Sequence, residues 1–359
     1  MIPYFLLIGL PMLAWGISSK YRFTINKRVL YETSTFPIDL FMLLYMLMLA
    51  LRGLMCGSDT ARYAVLYPIY GDMSYAKIIT GYDFERGFML LAKFVYQHSR
   101  DFQVFLCVTA VICVLPLWYF YKKESENCPL TIALFLAVAP FMMYFSGIRQ
   151  SIAMSIGILC WYAAKNKKPF LFIVSVLVAI QFHTSAFILA VLYPLYGAKI
   201  TKNWLFVVVP LMAAVFLFRV PIFNFLLRFL WEEYEITAET GASTTLMLLI
   251  IFAVYSYLIP DDTKLERDVI AMRNILLLSI VIQFFALLHP LSMRMNYYFL
   301  LFVPILIPKI AARCKMRYHQ VSKLSVVVMT AYFLYYFVNK MVKDIDSLNI
   351  FPHIPFWQN

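Results

Sequence analysis

Polar residues in this chain come in short bursts between long apolar stretches. Apolar runs fall near residues 2–18, 36–55, 102–121, 129–145, 148–164, 169–182, 184–197, 203–219, 243–259, 274–290, 295–312 and 322–340. A bilayer-spanning helix needs about 20 mostly apolar residues, and most of these runs approach that length. They are solidly apolar rather than alternating, which predicts helices and excludes an outer-membrane barrel. Runs 169–182 and 184–197 are short and meet at His183. Read as two short helices or one broken helix, they bring the expectation to 11–12 spans. The predicted fold is all-α: a polytopic transmembrane helical bundle occupying residues 1–359 as a single integral-membrane domain. No internal repeat is visible, which weighs against a transporter built from duplicated halves.

Composition agrees. Hydrophobic residues make up 63% of the 359 positions and charged residues 14%, against about 25% charged in an ordinary soluble domain. This excludes a soluble enzyme and a disordered chain. The net charge of +12 is no nucleic-acid signal, because basic residues of membrane proteins collect in cytoplasmic loops. The six cysteines (56, 107, 113, 128, 160 and 314) are scattered and form no C-x-x-C pair. Neither a disulfide framework nor a metal site is indicated. The first apolar run has no basic residue before it, and Lys20, Arg22, Lys27 and Arg28 follow it. The expectation is a retained first span with its N-terminus outside.

Alternating the spans from an external N-terminus places 19 of the 31 basic residues in inner loops. The outer segments are then a long one at about 56–101 and a smaller one at about 220–243. The inner set holds 13 Lys and 6 Arg, whereas the outer set holds 8 Arg and only 4 Lys. Orientation needs only charge. Arginine concentrated outside suggests a use for its planar fork, which grips phosphate and carboxylate in a bidentate manner. The plainer alternative is pairing with the outer acids, Asp59, Asp72, Asp83, Glu85, Asp101, Glu232, Glu233, Glu235 and Glu239.

Two segments place an arginine where an anion would be welcome. In Y-F-S-G-I-R-Q-S-I-A-M-S-I-G (144–157), Ser146 is a candidate N-cap, and Arg149 and Gln150 fall in the first turn of a helix descending from the outer face. A cation beside the positive end of a helix dipole is unfavourable unless an anion binds there. In H-P-L-S-M-R-M-N-Y (289–297), Ser292 is a candidate cap and Arg294 is expected in the first turn. Arg149 and Arg294, with Gln150 and Arg62, are candidates for holding a pyrophosphate. A snorkelling arginine at the interface is the alternative for each.

Other candidates flank them. Tyr63, Tyr67 and Tyr70 share one helical face, suited to stacking on sugar rings or to an interfacial belt. Asp83 and Glu85 form a D-x-E pair, read as a possible base or, more weakly, a metal pair. His183 lies in Q-F-H-T-S-A-F at a break between apolar runs. A polar cluster at that depth is costly unless it faces a cavity, and histidine is the usual proton acceptor near pH 7. A helix-packing histidine is the alternative. The catalytic candidates are therefore His183, with Asp59 or Glu85 as runner-up.

Together, G-S-D-T-x-x-Y at 57–63, Glu85 followed by Gly87, S-G-I-R-Q-S-I-A at 146–153, F-H-T-S-A at 182–186 and the F-P-H-I-P-F-W tail at 351–357 resemble the EpsG-type membrane proteins, relatives of the Wzy polysaccharide polymerases. The resemblance covers nearly the whole chain. It implies joining of oligosaccharide units carried on undecaprenyl pyrophosphate at the outer side of the bacterial plasma membrane. It also implies a helical fold akin to the metal-independent branch of the GT-C glycosyltransferases. The matching positions are Asp59, Tyr63, Glu85, Arg149, Gln150 and His183. The implied partners are lipid-linked oligosaccharides, membrane lipids and a chain-length regulator protein, with no nucleic acid and no cofactor.

Two rivals remain. A flippase for the same lipid-linked sugar predicts polar residues spread through the membrane depth. A membrane acyltransferase predicts a catalytic histidine with an acidic partner close by in a tight motif.

Overall fold

A computed structural model describes residues 1–20, 35–81, 85–138, 140–230, 241–343 and 348–358. Among these residues the regular elements are helical, apart from two isolated bridges, Arg52 with Pro355 and Pro260 with Cys314. The N-terminal part comprises α1 (Ile2–Lys20), α2 (Phe36–Ala50), α3 (Thr60–Asp72), α4 (Tyr75–Thr80), α5 (Arg86–His98) and α6 (Phe102–Glu124). The middle holds α7 (Cys128–Ala137), α8 (Met143–Ser146), α9 (Ile148–Lys165), α10 (Pro169–Phe182), a 3₁₀ segment (Thr184–Val191) and α11 (Leu192–Gly197). The remainder is α12 (Leu205–Leu217), α13 (Arg219–Leu230), α14 (Ala242–Leu258), α15 (Arg267–Ala286), α16 (Pro290–Leu300), α17 (Val303–Ala312) and α18 (His319–Val342).

Local chemistry explains many of the boundaries. Proline opens α10 and α16 and stands at the second position of α2 and α7, where its missing N–H costs nothing. Asp101 and Asn127 cap α6 and α7 by accepting from Gln103 N–H at 2.8 Å and Leu130 N–H at 3.0 Å. Inside the bundle, lipid and protein are equally apolar, so close packing of small residues decides which helices touch. The α9 face of Ser151, Ser155, Ala153 and Gly157 is buried. Ser155 Oγ donates to the Cys113 carbonyl at 2.7 Å, and a Cβ on Gly157 would lie 3.0 Å from Leu189. At the periphery, α12 buries none of its residues, and α18 exposes Val321, Leu324, Val327 and Val328.

Three of the helices are long and apolar enough to cross a bilayer, and the count reaches five if two bent pairs each form one span. Those pairs are Lys202–Leu217 with Arg219–Leu226, bent by 72°, and α16 with α17, bent by 47°. The other apolar runs fold as helices of 10–17 residues or, for α9, as an 18-residue helix with a more polar face. The expected run 129–145 is interrupted between α7 and α8. The polar segment 56–101 contains three helices, α3 to α5, of which the tyrosine spacing had indicated α3.

The following ion pairs fall at two ends of the bundle. At one, Glu124 holds Lys309 at 2.8 Å and Lys165 at 3.0 Å, Arg313 bridges Glu126 and Glu266, and Lys122 meets Asp39 at 2.9 Å. At the other, Glu85 meets Arg149 and His183. Each of these ion pairs joins positions that the alternation of spans assigns to the same side. The 348–358 tail folds back onto residues 51–58. Gly53 N–H donates to Ile354 O at 2.7 Å, Phe356 N–H to Leu51 O at 3.0 Å, and Gly57 and Ser58 N–H to Asn349 O and Leu348 O at 2.8 Å each.

Candidate functional site

Three elements from distant parts of the sequence converge on one carboxylate. Glu85 stands at the N-cap of α5. His183 is extended, with φ −158° and ψ 123°, in the one-residue break between α10 and the 3₁₀ segment. Arg149 is the second residue of α9, in its first turn as expected. Glu85 Oε1 lies 3.0 Å from His183 Nδ1 and accepts from Thr184 N–H at 3.2 Å. Its Oε2 accepts from the Arg149 guanidinium, whose Nε donates to the Tyr63 hydroxyl at 3.3 Å. Gly87 makes this meeting possible. A Cβ there would come within 2.8 Å of both the Cβ and the carbonyl oxygen of Gln181, two residues before His183, so only glycine lets α5 approach the end of α10 this closely.

The electrostatics follow from that geometry. Burial pushes the Glu85 carboxyl up, but the hydrogen bond from His183 and the charge of Arg149 pull it down further, to about 2. Glu85 is therefore ionised at neutral pH and can only accept hydrogen bonds. His183 Nδ1 must then carry the proton, which leaves Nε2 of the neutral ring as the basic atom. The Glu85 side chain is 10% exposed, whereas those of His183 and Arg149 are 18% and 25% exposed. The carboxylate is thus the most buried of the three. Burial also pushes the Tyr63 phenol up against the pull of Arg149, so it remains neutral.

A second set of contacts ties α16 to this cluster. Gln150 Nε2 donates to the Arg294 carbonyl at 2.6 Å. One turn beyond Arg294, the Tyr298 hydroxyl lies 3.1 Å from Ser185 Oγ, two residues after His183. The two arginine-bearing helices therefore start side by side, and Arg294 is exposed. Ser185 and Tyr298 are neighbours of the site that were not singled out beforehand. The i, i+4 relation of Tyr298 to Arg294 is the signal that could have found Tyr298.

Some expectations are corrected. Ser146 does not cap α9: it ends α8, Gly147 takes the cap position, and Ser146 Oγ instead meets Ser58 Oγ at 2.7 Å. His289, not Ser292, caps α16, its Nδ1 accepting from Leu291 N–H at 3.1 Å. Arg294 is thus the fifth helical residue, in the second turn. Tyr63, Tyr67 and Tyr70 share a face, but it is turned inward and buried. Tyr67 packs against Phe105 and Tyr96, and Tyr63 and Tyr70 against Phe88. An open sugar-stacking platform is therefore not what this face forms. Asp59, half-buried, precedes α3, and Arg62 is exposed on it. Asp83 and the acids Glu232, Glu233, Glu235 and Glu239 lie outside the described residues.

An acidic partner in a tight local motif was the mark expected of an acyltransferase; Glu85 is an acidic partner, but one 98 residues away. The histidine alone therefore does not separate the two chemistries, and the family must. The sequence model of the EpsG family matches residues 38–354. The chain belongs to the EpsG family. No curated protein and no solved structure matches it. EpsG is a family of Wzy-like polymerase type, so the resemblance carried by Glu85, Arg149 and His183 extends over most of the sequence. In this EpsG-family chain, those three residues meet.

Proposed function

We propose that the chain is a polysaccharide polymerase that joins oligosaccharide repeat units carried on undecaprenyl pyrophosphate, at the outer face of the bacterial plasma membrane. The observation that carries this reading is the Glu85–His183 pair beside Arg149 in a chain of the EpsG family. In this reading the whole chain is one polymerase domain with the 11–12 short and long spans of the hydropathy pattern, akin to the metal-independent GT-C enzymes. The confinement of ion pairs to two ends of the bundle favours a one-sided enzyme site over a flippase.

The acceptor sugar hydroxyl gives its proton to His183 Nε2 as its oxygen attacks the anomeric carbon of the donor unit. The bond from that carbon to the pyrophosphate oxygen breaks, and the electron pair leaves with the lipid pyrophosphate. Charge grows on that leaving group, so cations placed beforehand lower the barrier. Arg149 and Arg294 serve this role, with the exposed Arg62 in support, while Gln150, buried and bonded to the Arg294 carbonyl, holds the two helices together instead of meeting the pyrophosphate. Glu85 is a positioning residue: an acid held near 2 is a poor base at neutral pH, but it fixes the His183 tautomer. Asp59 is left as the reserve base. A chain-length regulator is the expected protein partner.

The test uses purified full-length protein with a lipid-pyrophosphate oligosaccharide as its only substrate. A ladder of polymer lengths, lost in His183→Gln with lipid binding retained, is the expected result. Transfer of an acyl group, or lipid transport without any new glycosidic bond, would overturn the proposal.

A further inference from the structure

At the end of the bundle opposite the Glu85 cluster, the last turns of α9 and α11 and the first turn of α15 enclose a cavity of about 710 Å³. Four cations line it: Lys165, Lys167, Lys199 and Arg267. Helix C-termini attract cations, so the plain explanation is that these residues satisfy the free carbonyls of α9 and α11. At the end of α11 that work falls to one of the four, Arg267, together with Asn274. Arg267 donates to the carbonyls of Tyr196 at 2.9 Å and Gly197 at 2.5 Å. Asn274 donates to those of Leu195 and Ala198 at 3.0 Å each. Lys165 is matched by Glu124 and Asp268. Lys167 and Lys199 are exposed, and among the described residues neither has a carboxylate within ion-pair distance.

Lys167 also sits where lysine is a poor choice. Its φ is +53°, and its N–H and that of Lys168 close the end of α9 on the carbonyls of Ala164 at 3.1 Å and Ala163 at 2.9 Å. This is the left-handed helix-ending position that glycine fills without strain. A lysine there sacrifices stability to put a charge at the mouth of the cavity. The cavity wall is apolar elsewhere, with Leu265, Ile270 and Tyr193. Tyr193 packs on Phe172 of α10, whose outward face bares Phe170, Leu171 and Ile173. Cations at the rim with apolar surface beside them match a phosphate headgroup with its acyl chains.

We propose that this cavity binds an anionic phospholipid, with Lys167 and Lys199 holding the headgroup phosphate and Arg267 behind them. The site is separate from the polymerase reading and does not depend on it. The experiment takes the purified full chain, alone and as the Lys167→Gly/Lys199→Gln variant. Native mass spectrometry then counts retained phosphatidylglycerol against phosphatidylcholine. The parent should keep phosphatidylglycerol preferentially, and the variant should hold it roughly 30-fold more weakly, with phosphatidylcholine unchanged. Lys167→Gly alone should melt no lower than the parent, which separates loss of ligand from loss of fold. An unchanged preference in the double variant would overturn the site. Displacement of the lipid by equimolar inorganic phosphate or glycerophosphate would overturn the lipid and leave a soluble anion in its place.

Discussion

Nδ1 of His183 lies 3.0 Å from Oε1 of Glu85, a carboxylate 98 residues earlier in the chain. Because Glu85 is also held by Arg149, one carboxylate orients both the proposed base and a proposed pyrophosphate ligand. Removing its charge should disturb both. Glu85→Gln keeps the shape and loses the charge, so the histidine tautomer is no longer fixed. Polymer formation should fall by roughly 10²–10⁴-fold, with insertion retained and binding of the lipid pyrophosphate weakened. Normal chain lengths from this variant would remove Glu85 from the mechanism.

Acid should loosen the same cluster. The Glu85 carboxyl titrates at about 2 in the folded chain against 4.5 for the free side chain. A depressed carboxylate stabilises the fold above the unfolded value, and that stabilisation is lost as pH falls through the folded one. The window is therefore about pH 4.5 down to 2, and the ceiling is about 3 kcal/mol at neutral pH. Melting temperatures taken across that window should fall more steeply for the parent than for Glu85→Gln. Parallel curves would show that the carboxylate is not coupled to the fold.

Arg149 reaches Tyr63 through Nε and Glu85 through a terminal nitrogen. A lysine ammonium keeps the charge but not this fork. Arg149→Lys should lose polymer nearly as severely as Arg149→Ala, on the order of 100-fold or more. Rescue by lysine would mean that charge alone is needed.

Gly87 touches no proposed substrate, yet it sets how closely α5 approaches α10. Gly87→Ala should push Glu85 away from His183 and depress the turnover rate while leaving the amount of inserted protein unchanged. Equal turnover in the alanine variant would show that α5 can shift without consequence.

The orientation proposed for the bundle can be checked by labelling. In a background with Cys107 and Cys314 replaced, a thiol at Arg62→Cys should react with an impermeant reagent on intact cells. Thiols at Asn166→Cys and Met316→Cys should react only after lysis. The reverse pattern would put the Glu85 cluster on the cytoplasmic side.

The sequence was informative where one residue type decides the backbone. Proline at 169 and the polar break at His183 bound α10 at both ends as read, and Arg149 falls in the first turn expected of it. Capping was less legible because it depends on local dihedral angles: Ser146 and Ser292 have suitable side chains, but Gly147 and His289 occupy the caps. The tyrosine face of α3 was read correctly as a face and incorrectly as open. Periodicity reports that residues share a side and says nothing of what that side meets. The partnership of Glu85 with His183 had no local signature at all. It depends on the close approach at Gly87, which the sequence displays only as one glycine.

The tail that bonds to residues 51–58 has a consequence in time. The backbone groups of Gly53, Gly57 and Ser58 have their partners in Leu348, Asn349 and Ile354, about 290 residues later in synthesis. At about 5–20 residues per second, that separation is roughly 15–60 s. During this interval the turn before α3, and with it the Ser58–Ser146 contact beside Arg149, lacks its clasp. A newly made chain therefore reaches its working geometry only after translation has passed the tail, and a half-made chain inserted in the membrane cannot yet assemble the full site.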